Sequence, residues 1–368
     1  MIRKLINVGR KYLPKSALSA HLDQQSIDAY RATLLLKCHE WHMQPQNHSS
    51  EENLQPTESD VKGFYAEAQS LDEDEMYDYS QKQIDGQMIS LFKKIKICMN
   101  DNYPDVADED DDDEDHDDDD DDKIIVTNEN SEIDRLRGLK NDTNSNEINN
   151  KSSAAQTNML LDKVGFELIC KPSNCPNDSG NGIFIHCSDS KLIPAGTVIA
   201  LFPGLVHLAE YTRKTEYVDQ LLPDPNFMLV LRSDSTVIDC RTVNQCAENP
   251  YALAHLVNHV PKDSLPNVFQ FRYDFPNDPL GFSGFPISLR KFIPNSWAKK
   301  PTLIGTPDRS ALIKSMVLIA SRPLKNGDEL LMDYRLKGEP NLFPAWYQAF
   351  EKDDPLKKQH IEGEGGYN

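Results

Sequence analysis

Residues 108–122 are fourteen acidic side chains and one histidine, His116. Like charges at this density repel one another and nothing apolar is at hand to bury, so the run cannot fold. It lies within a longer polar stretch, 101–157, whose one apolar island is Ile124-Ile125-Val126 and which ends rich in Asn and Ser. A structureless segment of that length separates folding units rather than sitting inside one. The expectation is a helical N-terminal region over 1–100, a disordered acidic and Asn-rich linker over 101–157, and a folded C-terminal part.

Charge divides along the same line. The chain carries 59 acidic and 39 basic residues, a formal charge of −20, yet residues 158–350 hold 19 of each. An acidic average argues against direct nucleic-acid binding through net charge. It belongs to the N-terminal part, however, and leaves the sign of a substrate for the neutral part open. No run of about 18 apolar residues exists, so no membrane span is expected. Seven sparse cysteines and the lack of an apolar leader region fit a reducing, intracellular setting, nuclear or cytoplasmic. The alternative is mitochondrial, because Arg3, Lys4, Arg10, Lys11 and Lys15 precede the first acid, Asp23, among Ile2, Leu5, Ile6 and Leu13.

Residues 29–43 are rich in Ala and Leu, and Ile84, Met88, Ile89, Leu91, Phe92, Ile95 and Ile97 recur near a helical period, with Gly86 weakening that helix. Residues 45–59 read as a polar loop. Beyond Met159 the texture changes to short β-branched or aromatic runs bounded by turn formers: 182–186, 196–202, 227–232, 236–239, 267–273 and 314–320. These read as strands. Helices are expected over 211–222, 250–257 and 344–352. The C-terminal part is therefore mainly β with a few short helices.

Gly180-Asn181-Gly182 precedes the first of those strands. A dinucleotide fingerprint would need a third glycine where Ile185 stands, and a helix where the strand runs, so that reading fails. Taken alone, the pattern is a turn needing positive φ. Cys170, Cys175, His186 and Cys187 do not have the spacing of a zinc site, and no metal is expected. Further on come Ile193-Pro194-Ala195-Gly196, then Leu256-Val257-Asn258-His259, and finally Gly327-Asp328-Glu329-Leu330-Leu331-Met332-Asp333-Tyr334.

That ordered series, spanning about residues 164–336, resembles the SET-domain protein lysine methyltransferases, and within them the SET domain-containing protein nine group. In that family a G-x-G turn opens the domain, an Asn-His stretch lies in the middle, and E-L-x-x-D-Y closes it. The resemblance implies a SET-type fold of small sheets around a C-terminal pseudoknot over 158–340, followed by a C-terminal helix and tail over 341–368. The chain departs from the pattern at Val260-Pro261, in the four residues 262–265 that delay Pro266-Asn267, and in a Pro- and Gly-rich insertion at 274–310. No cysteine follows Tyr334, so the zinc cluster of many relatives is missing.

The activity so implied is methyl transfer from S-adenosyl-L-methionine to the side-chain amine of a protein lysine. Such a displacement needs alignment, exclusion of water and an uncharged amine rather than a metal. By resemblance Tyr334 is the catalytic residue, where an oxygen can meet the methyl group and the amine. Asn181, Gly182, Ile183, Asn258, His259 and Tyr334 would contact the cofactor, and Glu329 and Asp333 would be structural. The partner is a protein with an exposed lysine. The alternative is a catalytically degenerate SET-fold binding module whose acidic linker captures basic proteins.

Overall fold

The computed structural model describes residues 24–44, 56–99, 159–175, 180–212, 228–241, 248–261, 264–277, 284–299, 311–335 and 347. The acidic run and the expected helix over 344–352, apart from Tyr347, lie outside them. Three helices come first: α1 (Gln24–Met43), α2 (Glu58–Gln69) and α3 (Glu73–Cys98). Apolar periodicity marks α1 and α3 in the sequence. Polar α2 carries little such signal, and its start is set by a capping box. The Asp60 amide donates to Thr57 Oγ1 at 3.2 Å and the Thr57 amide to Asp60 Oδ2 at 2.8 Å. Asp72 and Glu75 start α3 the same way.

The buried residues of α3 include Ile84, Met88, Leu91, Phe92 and Ile95, a stripe at helical spacing. Phe92 ends among Phe275, Phe285 and Phe292, with ring centroids 5.5–6.1 Å away. α1 and α3 share one hydrophobic core with the strands that follow, while Val61, Tyr65 and Ala68 of α2 cluster separately with Leu34.

Those strands form small sheets, in keeping with the mainly β, SET-type expectation. β1 (Glu167–Pro172) and β2 (Asn181–His186) make an antiparallel pair. β3 (Val198–Leu201), β10 (Ala311–Ala320) and β8 (Val268–Pro276) form a sheet in the order β3-β10-β8, with β10 buried from Ile313 to Ala320. A third sheet runs β5 (Leu229–Leu231), β6 (Val237–Asp239), β4 (Gly204–His207), β9 (Asn295–Trp297). Last, β7 (Asn258–His259) lies parallel to β11 (Leu331–Met332).

All six runs read as strands are strands, with bounds shifted by a few residues. Two expected helices differ. Over 250–257 only a 3₁₀ turn forms, Ala254–Leu256, because Asn249 Oδ1 takes the Tyr251 amide at 2.9 Å and tightens the chain before it. Over 211–222 the described part ends at Thr212, the last residue of a single helical turn. The apparent insertion at 274–310 is partly core: Phe275, Phe285, Leu289 and Phe292 are buried, and β9 pairs with β4.

Two contacts tie the layers together. At Gly196, φ is +86°, and a Cβ there would lie 2.0 Å from the Leu35 carbonyl oxygen, so α1 rests directly on this turn. From α3, Gln87 donates to the Gly196 carbonyl at 3.0 Å and accepts the Val198 amide at 2.8 Å. Both helices thus grip the start of β3. Near the start of α3, the 2 % exposed Arg232 pins the β5–β6 hairpin to the neighbouring sheet. It donates to the Tyr273 carbonyl at 3.1 Å, the Ser315 carbonyl, Asp274 at 2.6 Å and Asp234 at 3.0 Å. Burial would raise the Asp234 carboxyl, but Arg232 beside it holds it well below the usual carboxylate range.

Two stability outcomes follow. Arg232→Met strands the facing carboxylates and should cost about 3–5 kcal/mol in denaturant unfolding, the scale for breaking one side of a buried pair. At the α3–β8 boundary, burial lifts the Asp85 carboxyl from 3.8 to about 6, against the hydrogen bond it accepts from Tyr273. Because the folded state holds that proton more tightly, its contribution is full below the unfolded value and is lost as pH rises through about 6. Denaturation midpoints measured from pH 4 to 7 should therefore fall less steeply with pH in Asp85→Asn than in the parent chain.

Candidate functional site

The closing segment 328–334 bonds to two strands along one edge and to Asn267 along the other. On the first edge the Ile185 amide donates to the Asp328 carbonyl at 2.9 Å, and the Leu330 amide to the Ile183 carbonyl at 2.7 Å. Further along the same edge, β11 pairs with β7, and the Val260 amide donates to the Met332 carbonyl at 2.9 Å. On the opposite edge, Asn267 stands in for a strand. Its amide donates to the Leu331 carbonyl at 3.0 Å, its Oδ1 accepts the Leu331 amide at 2.8 Å, and its Nδ2 donates to the Glu329 carbonyl at 2.7 Å. This threading of the last segment is what the expected pseudoknot requires.

Two clusters result, one from each residue of β7, since adjacent strand residues face opposite ways. Asn258 faces Glu329 and the G-x-G turn. Its Nδ2 donates to the Asn181 carbonyl at 3.1 Å and to Glu329 Oε1 at 3.3 Å. The Glu329 carboxylate also accepts the Ser173 hydroxyl at 2.6 Å and the Asn174 amide at 2.8 Å. The two glycines serve different ends. Gly180 has φ +66° and makes the turn. Gly182 has no such strain, but a Cβ on it would lie 2.2 Å from Glu329 Oε1 and 3.1 Å from Asn258 Nδ2, so its bare backbone makes room for the carboxylate.

His259 faces the other way. Its Nδ1 accepts the Tyr334 amide at 3.2 Å, which requires that nitrogen to be unprotonated, and lies 3.9 Å from Asp333 Oδ1. The imidazole packs 5.3 Å from the Tyr334 ring and 4.6 Å from the Tyr347 ring. The Tyr334 hydroxyl donates to the Val257 carbonyl at 3.0 Å. Burial pushes this phenol up to about 12, against a hydrogen bond with His259 and with a smaller upward push from Cys175. It is neutral at any physiological pH.

Of the six residues expected to meet a ligand, Asn181, Gly182 and Asn258 come together around Glu329, and His259 and Tyr334 form the second cluster. The Ile183 side chain is wholly buried in the core, and its carbonyl is taken by Leu330. Beside Glu329 opens a cavity of about 330 Å³, lined by Asn174, Cys175, Ser264, Arg322 and Asp328 among others. That is the lower end of the range for small-molecule sites. Glu329 is thus a wall of this cavity as well as a structural residue, and none of the six expected residues lines it. Ser173, Asn174 and Asn267 carried no signal beyond the Pro266-Asn267 pair, because their partners lie 60 or more residues away in the chain.

No family model matches the chain. It is 24 % identical over 202 residues to SET domain-containing protein 9 of Homo sapiens, across 48 % of this chain and 60 % of that protein. The same protein of Pongo abelii is 24 % identical over 202 residues, across 48 % and 66 %. The chain therefore spans less than two thirds of the length of the curated relatives it matches. A crystal structure of KRYPTONITE in complex with mCHH DNA, H3(1-15) peptide and SAH overlaps 47 % of this chain and 24 % of its own, with 16 % identity and a TM-score of 0.26. Over about half its length, then, the chain is similar to SET domain-containing protein 9.

The packing around Glu329 gives a double-mutant test. Gly182→Ala alone should cost about 1–3 kcal/mol, because displacing the carboxylate leaves buried donors unmatched. Glu329→Ala alone should cost a similar amount. Combined, they should cost less than the sum, since the carboxylate that the added methyl would strike is gone. Chemical denaturation of the four proteins measures this.

Proposed function

We propose that the chain is a methyltransferase that moves a methyl group from S-adenosyl-L-methionine to the side-chain amine of a protein lysine. The observation that carries the reading is the neutral, half-buried Tyr334, held on Val257 and His259 at the end of the closing segment. The similarity to SET domain-containing protein 9 supports it.

The residues present fit this cofactor. It offers an ammonium and a carboxylate, hydroxyls and an aromatic base. The cavity provides the Glu329 and Asp328 carboxylates, the Arg322 guanidinium and the Asn174 and Ser264 side chains. Once bound, the cofactor supplies an electrophilic methyl group on a sulfonium. Asn258 and Glu329 would hold its polar groups, with the exposed Asn181 beside them. The His259 strand fixes Tyr334. Because the Tyr334 hydrogen is committed to the Val257 carbonyl, its oxygen would meet an incoming amine as an acceptor and take weak contacts from methyl hydrogens. The amine must lose its proton before it attacks. Its ordinary pKa is about 10.4, which an apolar and aromatic setting lowers.

Incubating the purified chain with methyl-labelled cofactor and cell lysate should label protein lysines. Tyr334→Phe should lower the rate at least about tenfold, the loss expected when a positioned polar group is removed. The rate should rise with pH as the substrate amine deprotonates, with no fall from Tyr334 ionisation before about pH 10, since its phenol titrates near 12. A labelling rate unchanged in Tyr334→Phe would contradict the role given to that residue. No labelling in any lysate would favour the non-catalytic alternative.

A further inference from the structure

We infer that Asp28 on the N-terminal helix is a positioning residue for Tyr334, acting through Arg335; this extends the methyl-transfer reading and rests on it. Directly after Tyr334 the chain turns sharply. Arg335 has φ +51°, a left-handed conformation that non-glycine residues adopt at a cost of about 1–2 kcal/mol. Something must hold it there. Its amide donates to Asp333 Oδ1 at 3.0 Å. Its guanidinium makes a two-pronged pair with Asp28: Nη1 to Oδ2 at 2.6 Å and Nη2 to Oδ1 at 2.9 Å. The side chains are only 17 % and 18 % exposed, so this is not a solvent-screened surface pair. Parallel, charge-assisted bonds of this kind fix direction as well as distance.

The anchor is itself rigid. Asp28 lies in the second turn of α1, and Ala32, Leu35, Leu36 and Cys38 of that helix are buried in the core shared with the sheets. Gly196 presses on the Leu35 carbonyl. The residue before Tyr334 is tied to β7 through β11, and the residue after it is tied to α1. Tyr334 is therefore held from both sides, and its amide bond to His259 and hydroxyl bond to Val257 depend on the chain direction the pair imposes. A helix 307 residues away in the chain completes the site.

Three full-length proteins test this: the parent chain, Asp28→Asn, which keeps shape and loses charge, and Asp28→Glu, which keeps the carboxylate. Asp28→Asn should lower kcat about tenfold while leaving the KM for S-adenosyl-L-methionine within about twofold, the signature of misplacement rather than lost binding. Asp28→Glu should recover most of that loss. Amide hydrogen exchange at Tyr334 should quicken in Asp28→Asn, while β8 and β10 keep the parent's protection. The inference is overturned if kcat is unchanged, if Asn and Glu lose equally, or if exchange quickens across β8 and β10 as much as at Tyr334. A parent chain that transfers no methyl group counts against the proposed function. Even then, the exchange pattern at Tyr334 decides the positioning role.

Discussion

A segment threaded through a fold must satisfy its backbone on both edges at once, and nearly everything about this site depends on how residues 328–334 do so. Ile183, Ile185 and β7 take one edge, and Asn267 takes the other. The register so fixed decides which side chains face the site. A slip of one residue would exchange faces along the segment. It would bring the fully buried Leu330 to the place of the Glu329 carboxylate and turn Tyr334 away from Val257. Asn267 matters for this reason more than for any contact with a ligand. Its one amide side chain and its own backbone together imitate a length of strand on the edge that β2 and β7 leave uncovered.

The helices belong to the same mechanical unit. α1 and α3 bury their apolar faces in the core of the sheets, and between them they hold the turn that begins β3. The N-terminal region thereby provides two things that the small sheets lack, a second apolar layer and a fixed point for the chain beyond Tyr334. Short sheets of two to four strands expose much of their edge and bury little alone. Here the aromatic group around Phe92 closes that gap, drawing Phe285 and Phe292 into the core from a stretch whose composition reads as an insertion.

The long apolar elements were legible in the sequence. β8 and β10 are runs of β-branched and aromatic residues, and α1 and α3 show helical spacing. The segments left unread are those whose structure depends on remote partners. β1 ends on Pro172 and carries Cys170 and Lys171; β9 is Asn-Ser-Trp; β7 and β11 are two residues each. None has a periodicity of its own, and each exists because another strand offers it an edge. The ordered motifs pointed to Gly182, Asn258, His259 and Tyr334 without revealing that these fall into two clusters on opposite faces of β7. The turn reading of the glycine pair holds at Gly180, with φ +66°, whereas Gly182 is bare to admit Glu329. The Asp28–Arg335 pair was beyond reach, since nothing local links residues 28 and 335.

The central claim is that Asn258, bonded to Glu329 at the wall of the cavity, helps to hold a sulfonium cofactor. Calorimetric titration of S-adenosyl-L-methionine into the full-length chain tests it most directly. The expected result is one-to-one binding that Asn258→Ala weakens markedly while the protein stays folded. Absence of binding by the parent chain, or binding indifferent to Asn258, would contradict it.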